Sequence, residues 1–582
     1  MLRISRLLSL FLVGLLTLAF TITPRQSRAA TLIIDPALTQ QLQTAVPGLP
    51  LPVIVTFDAQ PTLTQLTGLL NLGASIAPLR RLPMVGVLAT PAQIELIKQL
   101  SGVRSVYANQ RLQYFLRESV NTIGAASVWA DYGYQGEGVG VAVVDTGIDG
   151  LNPDLQYGSK TVQNTKVIGL QYAAGVDLDM LNLPVWYLEN LPNTDTSGGH
   201  GTHVAGIIGA SGAASSQYYR GVAPRSNLIG LGAGEAIEIF TALASFDWII
   251  AHKQQYNIRV VNCSWGNIIP GFDPNNPVNV ATKALHDAGI AVVFASGNSG
   301  SNTDTLNTYS VAPWVIGVAA GDKDGRNVSF FSSRGIPGSD FYHPTLTAPG
   351  YLIASDRALT GVATNVPNLA TDPLYLQPQY LPYYTVANGT SMAAPHVSGA
   401  IALMVQANPN LTPDVIKRVL INTATPLPDY QEYAAGAGYL NARKAVETAR
   451  QIKNVRKYRD PRTGEEYQVY DQTSTWTGNV GVSLPGLAAS DTRTVTVAPG
   501  TLSLDVAVDW STIASDLNLY LYNPQGALVA KSEVIQSVYN YANETVHVNN
   551  PVAGTWTVKV SGFLNIPQDY RATSNGVVLV NP

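Results

Sequence analysis

Val139-Gly140-Val141-Ala142-Val143-Val144-Asp145-Thr146-Gly147 decides the fold. Its apolar run is continuous rather than alternating, the pattern of a strand covered on both faces in a parallel sheet. Comparable runs recur at 167–170, 228–231, 260–263, 291–295 and 315–319, with helical stretches between them. That alternation, over 118–450, predicts an α/β domain with a doubly wound, mostly parallel sheet. Such sheets build their sites at the carboxyl ends of strands, and Asp145 stands at one.

Outward from this core the character of the chain changes. Residues 51–107 read as a small α/β unit, with strands at 53–57, 85–88 and 103–107 and helices at 63–72 and 91–100. Residues 451–471 gather Lys453, Arg456, Lys457, Arg459, Arg462, Glu465 and Glu466 in a chain only 13% charged, and read as an exposed linker. Beyond it, at 472–582, short alternating runs (492–497, 502–508, 517–522, 545–548, 555–560) predict an all-β sandwich or jelly roll.

At 582 residues the chain is too long for one core. Its formal net charge of −4 gives no footprint for nucleic acid or an anionic membrane. The one cysteine, Cys263, excludes an internal disulfide. Residues 1–30 read as an export signal: Arg3 and Arg6, then an apolar run, then small residues around Ser27 and Ala29. The mature protein is expected to be secreted, or periplasmic if the host has an outer membrane. It is expected to be monomeric and without a membrane span.

Two further blocks join Asp145. His200-Gly201-Thr202-His203-Val204-Ala205-Gly206 opens a helix with an imidazole followed by small residues. Gly389-Thr390-Ser391-Met392-Ala393-Ala394-Pro395-His396 places a serine at the start of another, running to about Asn408. A serine hydroxyl needs a base within hydrogen-bond reach to act as a nucleophile. Together, in the order Asp, His, Ser, these blocks resemble the catalytic blocks of subtilisin-type serine peptidases, the subtilases.

The resemblance implies Ser391 as nucleophile, His200 as general base and Asp145 as the group that holds its tautomer. Ala295-Ser296-Gly297-Asn298 is similar to the family's oxyanion segment, which makes Asn298 a donor beside the Ser391 N–H. Ser264-Trp265-Gly266 and Ala295-Ser296-Gly297 resemble the two walls of the S1 slot, suited to apolar or aromatic side chains. Trp265 would narrow or extend that slot. Substrate would lie as an added strand.

Residues 31–117 resemble the family's inhibitory propeptide, through Val53-Ile54-Val55-Thr56-Phe57, Leu82-Pro83-Met84-Val85-Gly86 and Val103 to Asn109. Self-cleavage between about 109 and 119 would release the mature enzyme. The tail resembles β-sandwich domains that follow many secreted bacterial peptidases, with substrate binding, stabilisation and removal on maturation all open as its role.

Other readings of the same motifs fare worse. Asp145-Thr146-Gly147 also spells an aspartic-protease signature, but no second copy exists to share a proton. His200 and His203 could pair on zinc, yet no third ligand pattern follows, so His203, like His396, is expected to be structural. Gly136-x-Gly138-x-Gly140 precedes its strand and cannot cradle phosphate. Cys263 is expected to be a small buried hydrophobe, though its place beside the S1 wall suggests sensitivity to mercurials.

The family pattern breaks at two insertions, 172–195 and 356–385, the second holding Tyr375, Tyr380, Tyr383 and Tyr384. Both are expected at the cleft. No calcium-loop pattern follows His200. The chemistry needs no cofactor, and structural calcium stays open with unassigned ligands. The expected product is a secreted, self-processed serine endopeptidase working through an acyl-enzyme. The alternative is a catalytically silent binding or adhesion protein on a protease scaffold, and the presence of all four catalytic residues weighs against it.

Overall fold

The computed structural model describes residues 33–79, 82–108, 118–168, 186–235, 237–267, 271–459, 466–484, 487–512, 514–534 and 542–580. The expected leader (1–30), residues 109–117 of the expected cleavage stretch and residues 172–185 of the first insertion lie outside them. The chain divides into two compact units, 1–113 and 114–582.

In the first unit five strands line up in the order Ile33–Ile34, Val103–Ala108, Leu51–Phe57, Met84–Ala89 and Ser75–Pro78. Val53, Val55 and Phe57 alternate inward along one strand and meet Leu69, Ile94 and Ile97 from the helices. The helices Leu63–Asn71 and Pro91–Ile97 start on capping boxes, Thr62 with Gln65 and Thr90 with Gln93, so two otherwise orphaned N–H groups are satisfied at each start.

The second unit is organised by an eight-stranded sheet. Its order is Leu346–Tyr351, Val315–Asp322, Ala291–Ala295, Ile258–Cys263, Gly140–Asp145, Asn227–Gly232, Thr161–Ile168, Trp186–Leu188. Every neighbouring pair is parallel except the last. The strands that flank Gly140–Asp145 come later in the chain and lie on opposite sides of it, which makes its carboxyl end the switch point of the sheet.

Alternate residues of the central strand feed two separate cores. Val141 and Val143 join the core shared by the His200–Gly209 and Thr390–Ala407 helices. Ala142 and Val144 join the opposite one, under Ile239–His252 and Pro277–Asp287. Burial on both faces is why the run reads as continuous. The strand expected at 167–170 begins earlier, at Thr161, because its buried Thr161, Gln163, Asn164 and Thr165 are polar; Asn164 Nδ2, for example, donates to the Ile148 carbonyl at 2.9 Å.

A five-stranded and a four-stranded antiparallel sheet follow. Their facing side chains, among them Trp556, Leu519, Val506 and Val508, form one core. The charged stretch read as a linker instead contributes strands to this fold at 452–459 and from 466 on, while 460–465 lie outside the described residues. Ile452–Arg459 and Glu466–Val480 pair antiparallel, and the first is an edge strand. Its lysines and arginines lie on outward positions, where charge blocks pairing with another chain. Inward, Ile452 and Tyr470 enter the core of the catalytic sheet together with Val578 and Val580.

Candidate active site

Asp145 ends the central strand and is fully buried. Its Oδ1 accepts the Thr146 N–H at 2.8 Å and is 2.7 Å from His200 Nδ1. The helix that starts on His200 can come this close because residue 201 is glycine: a Cβ there would lie 2.2 Å from the Gly147 carbonyl oxygen. With Nδ1 donating to the carboxylate, the neutral ring leaves Nε2 as its acceptor. Burial pulls the His200 pKa down, but the charge and hydrogen bond of Asp145 outweigh it and hold it above the usual 6.5.

Ser391 is the second residue of its helix, and its Oγ donates to the Ser264 carbonyl at 2.9 Å. Ser264 Oγ donates back to the Ser391 carbonyl at 2.8 Å, so helix and wall segment are fixed to each other. Asn298 Oδ1 accepts both the N–H (2.9 Å) and the hydroxyl (3.0 Å) of Thr390. That fixes which amide atom faces the helix and leaves Nδ2 as a free donor.

A cavity of about 250 Å³ opens beside Ser391 and Asn298. Ser264, Trp265, Gly266, Ala295 and Gly297 line it. Ser296 does not; it is fully buried behind the wall. The Trp265 indole turns inward rather than across the slot, donating to the Val144 carbonyl at 2.8 Å and packing on Phe246, Phe294 and Tyr309.

Sequence reading missed Asn307. Its Nδ2 donates to the carbonyls of Trp265 (3.0 Å) and Ala295 (2.8 Å), one from each wall, and so sets their spacing. Gly266 has no side chain because a Cβ would fall 2.1 Å from the Asn307 amide. No motif flags Asn307, since it works through backbone carbonyls distant in sequence. Thr390, which orients Asn298, was quoted within its motif but given no part.

His203 is buried, with Nε2 at 3.1 and 3.2 Å from the carbonyl oxygens of Ile353 and Thr385. Burial, with His200 nearby, lowers its pKa to about 3, so it stays neutral and donates to those carbonyls. His396 is likewise buried, its pKa lowered to about 4. Among the described residues no group of three or more His, Cys, Asp or Glu could hold a metal ion. Cys263 is fully buried, packed as a small hydrophobe, and burial raises its thiol pKa well above the usual value.

The 356–385 insertion reaches the cleft through its helix Val362–Asn368. The N–H groups of Ala363 and Thr364 each donate at 3.0 Å, to Ser197 and Gly198 just before His200. Its tyrosines do not dress the rim. Tyr384 is fully buried, and Tyr380 stacks on Tyr218 with ring centroids 5.9 Å apart.

The subtilase family model matches residues 136–446, which hold every residue named above. The chain belongs to the subtilase family. It is a serine-type endopeptidase, a hydrolase acting on polypeptides. The model of the bacterial pre-peptidase C-terminal domain matches residues 489–562, within the sandwich.

Among relatives, the chain is 33% identical to serine protease AprX of Bacillus subtilis (strain 168), over 61% of this chain and 77% of that one. It is 31% identical to subtilisin Savinase of Lederbergia lenta, over 54% and 93%. Among solved structures it is similar to sphericase, with 23% identity, 55% and 96% coverage and a TM-score of 0.42.

Proposed function

We propose that this subtilase cuts peptide bonds with Asp145, His200 and Ser391, and is exported as a zymogen. The 2.7 Å contact of Asp145 Oδ1 with His200 Nδ1 carries the reading. With Nδ1 donating to Asp145, Nε2 of the neutral ring is left unprotonated. The Ser391 hydroxyl leaves the Ser264 carbonyl, gives its proton to Nε2, and attacks the carbonyl carbon of the scissile bond. Catalytic bonds of this kind often tighten only once substrate is bound.

The oxyanion that forms takes hydrogen bonds from Asn298 Nδ2 and the Ser391 N–H, the latter favoured by its place at a helix start. His200 then protonates the leaving amine as the C–N bond breaks. Water repeats the sequence on the acyl-enzyme, taking the acyl group and restoring Ser391. The cleaved residue's side chain enters the slot spanned by Asn307, whose bare walls suit an apolar or aromatic group. No cofactor enters these steps, and any calcium would be structural.

Residues 31–117 act as an intramolecular inhibitor removed between about 109 and 119, and 1–30 direct export. The protein works outside the cell, as a monomer. No helix among the described residues is long and apolar enough to cross a membrane.

The test is labelling of the purified mature protein with a serine-directed fluorophosphonate. Wild type should label and Ser391→Ala should not, with hydrolysis lower by about a million-fold, as in a related peptidase. Ser391→Ala should also accumulate the unprocessed precursor. Equal labelling of both proteins would remove Ser391 from the chemistry. Because His200 must be neutral to accept the proton, and Asp145 holds its pKa above 6.5, kcat/KM should rise with pH and reach half-maximum above 6.5. A midpoint below that value would show that Asp145 does not govern the base.

A further inference from the structure

Asp195, in the loop ahead of the His200 helix, is fully buried, and every group that meets it is a donor. Its Oδ1 accepts the Gly199 N–H at 2.8 Å. Its Oδ2 accepts the Thr202 N–H at 3.0 Å and the Thr202 hydroxyl at 2.6 Å. Burial raises the Asp195 pKa above the usual carboxylate value, and the hydrogen bonds from Thr202 and Gly199 act against that rise. A shell of donors alone is satisfied by the ionised carboxylate, not by the acid.

These donors bracket the base: Gly199 and Thr202 stand on either side of His200. Thr202 Oγ1 also accepts the Asp149 N–H at 3.0 Å, and Thr146 Oγ1 accepts the Gly201 N–H at 2.8 Å. The Asp195 carboxylate therefore ties the start of the helix to the turn after the central strand.

We propose that Asp195 is a positioning residue for the base: its carboxylate bridges Gly199 and Thr202, holding His200 against Asp145 and adding a second fixed negative charge beside the imidazole. The inference rests on His200 being the general base.

Two consequences can be separated, geometry and charge. The groups that set the charge around His200 are Asp145 on the strand and Asp195 on the loop, with neutral His203 one turn along. The Asp195 charge acts in the same direction as that of Asp145, raising the His200 pKa. Its removal should lower the pH at which the base becomes available.

Asp195→Asn keeps the shape and removes the charge, while Thr202→Val keeps the charge and removes one tether. Rates are referred to fluorophosphonate-labelled enzyme, so that misfolded protein drops out. Asp195→Asn should move the acid limb of kcat/KM down by about half a pH unit and lower kcat about tenfold, with KM changed less than about twofold. Thr202→Val should lower kcat several-fold and leave the acid limb where it was.

An unmoved acid limb in labelled Asp195→Asn would overturn the charge role. A kcat within about twofold of wild type in both variants would overturn the positioning role. Should Asp195→Asn yield no labelled enzyme, Thr202→Val decides alone: a several-fold loss of kcat at fixed limb upholds the proposal, and wild-type kcat ends it. Failure of the wild type itself to label would instead strike at His200 as base.

Discussion

The parallel sheet around Asp145 and the sandwich that follows it use strands in opposite ways. In the parallel sheet both faces of the central strand feed cores, so polar chemistry is confined to the strand's end and to the helices that start there. In the sandwich the regular strands bury one face and wet the other, as in Gln568–Leu579, whose alternate positions are buried from end to end. The first arrangement concentrates function on a few residues whose neighbours are locked. The second spreads stability over many positions and leaves a polar surface. If that division holds, changes at the strand ends should cost catalysis without stability, and changes in the sandwich should do the reverse.

The sharpest way to break this comparison is at Asn298. Asn298→Ala should lower kcat by about a hundred- to a thousandfold, the cost of losing one oxyanion donor in a related peptidase, while KM and melting temperature change little. A comparable fall in melting temperature would mean that the Thr390 bonds of Asn298 serve the fold more than the oxyanion.

Tyr470 tests the other half. It belongs to the sandwich by chain and to the catalytic core by packing, alongside Ile452 and Val578. Tyr470→Ala should cost about 3 kcal/mol of stability and shorten the thermal half-life of activity, with kcat unchanged before inactivation. A shorter half-life would show that the tail stabilises the enzyme it follows. An unchanged one would confine the hairpin to the sandwich.

The same division explains what could be read from sequence. Strands buried on both faces announce themselves as apolar runs, so the sheet, its switch point and the ends carrying Asp145, Asn298 and Ser264 were legible. The central strand of the five-stranded sheet was not. Gln568–Leu579 turns Gln568, Ala572, Ser574 and Gly576 inward, so small and polar side chains hide its alternation. At the site, motif residues were legible while their supports were not. Asn307 bonds to carbonyls rather than side chains, and Asp195 stands five residues ahead of its helix, outside the usual N-cap position.

The smallest expected effect lies on the edge strand once read as a linker. Arg456 Nη1 contacts Asp471 Oδ1 at 2.6 Å, but its side chain is 44% exposed, so water screens the pair. Arg456→Ala should therefore change stability by less than about 1 kcal/mol and leave kcat/KM alone. Its role is to keep other chains off the edge, and that shows only when charge is removed along it. Lys453, Arg456 and Lys457 replaced together by threonine should leave the protein folded and active but raise its self-association, read by sedimentation at increasing concentration. If the triple variant stays monomeric while its melting temperature falls several degrees, these charges hold the hairpin together instead. The strand would then belong with the catalytic core's structural supports, and the contrast between the two regions would weaken where they join.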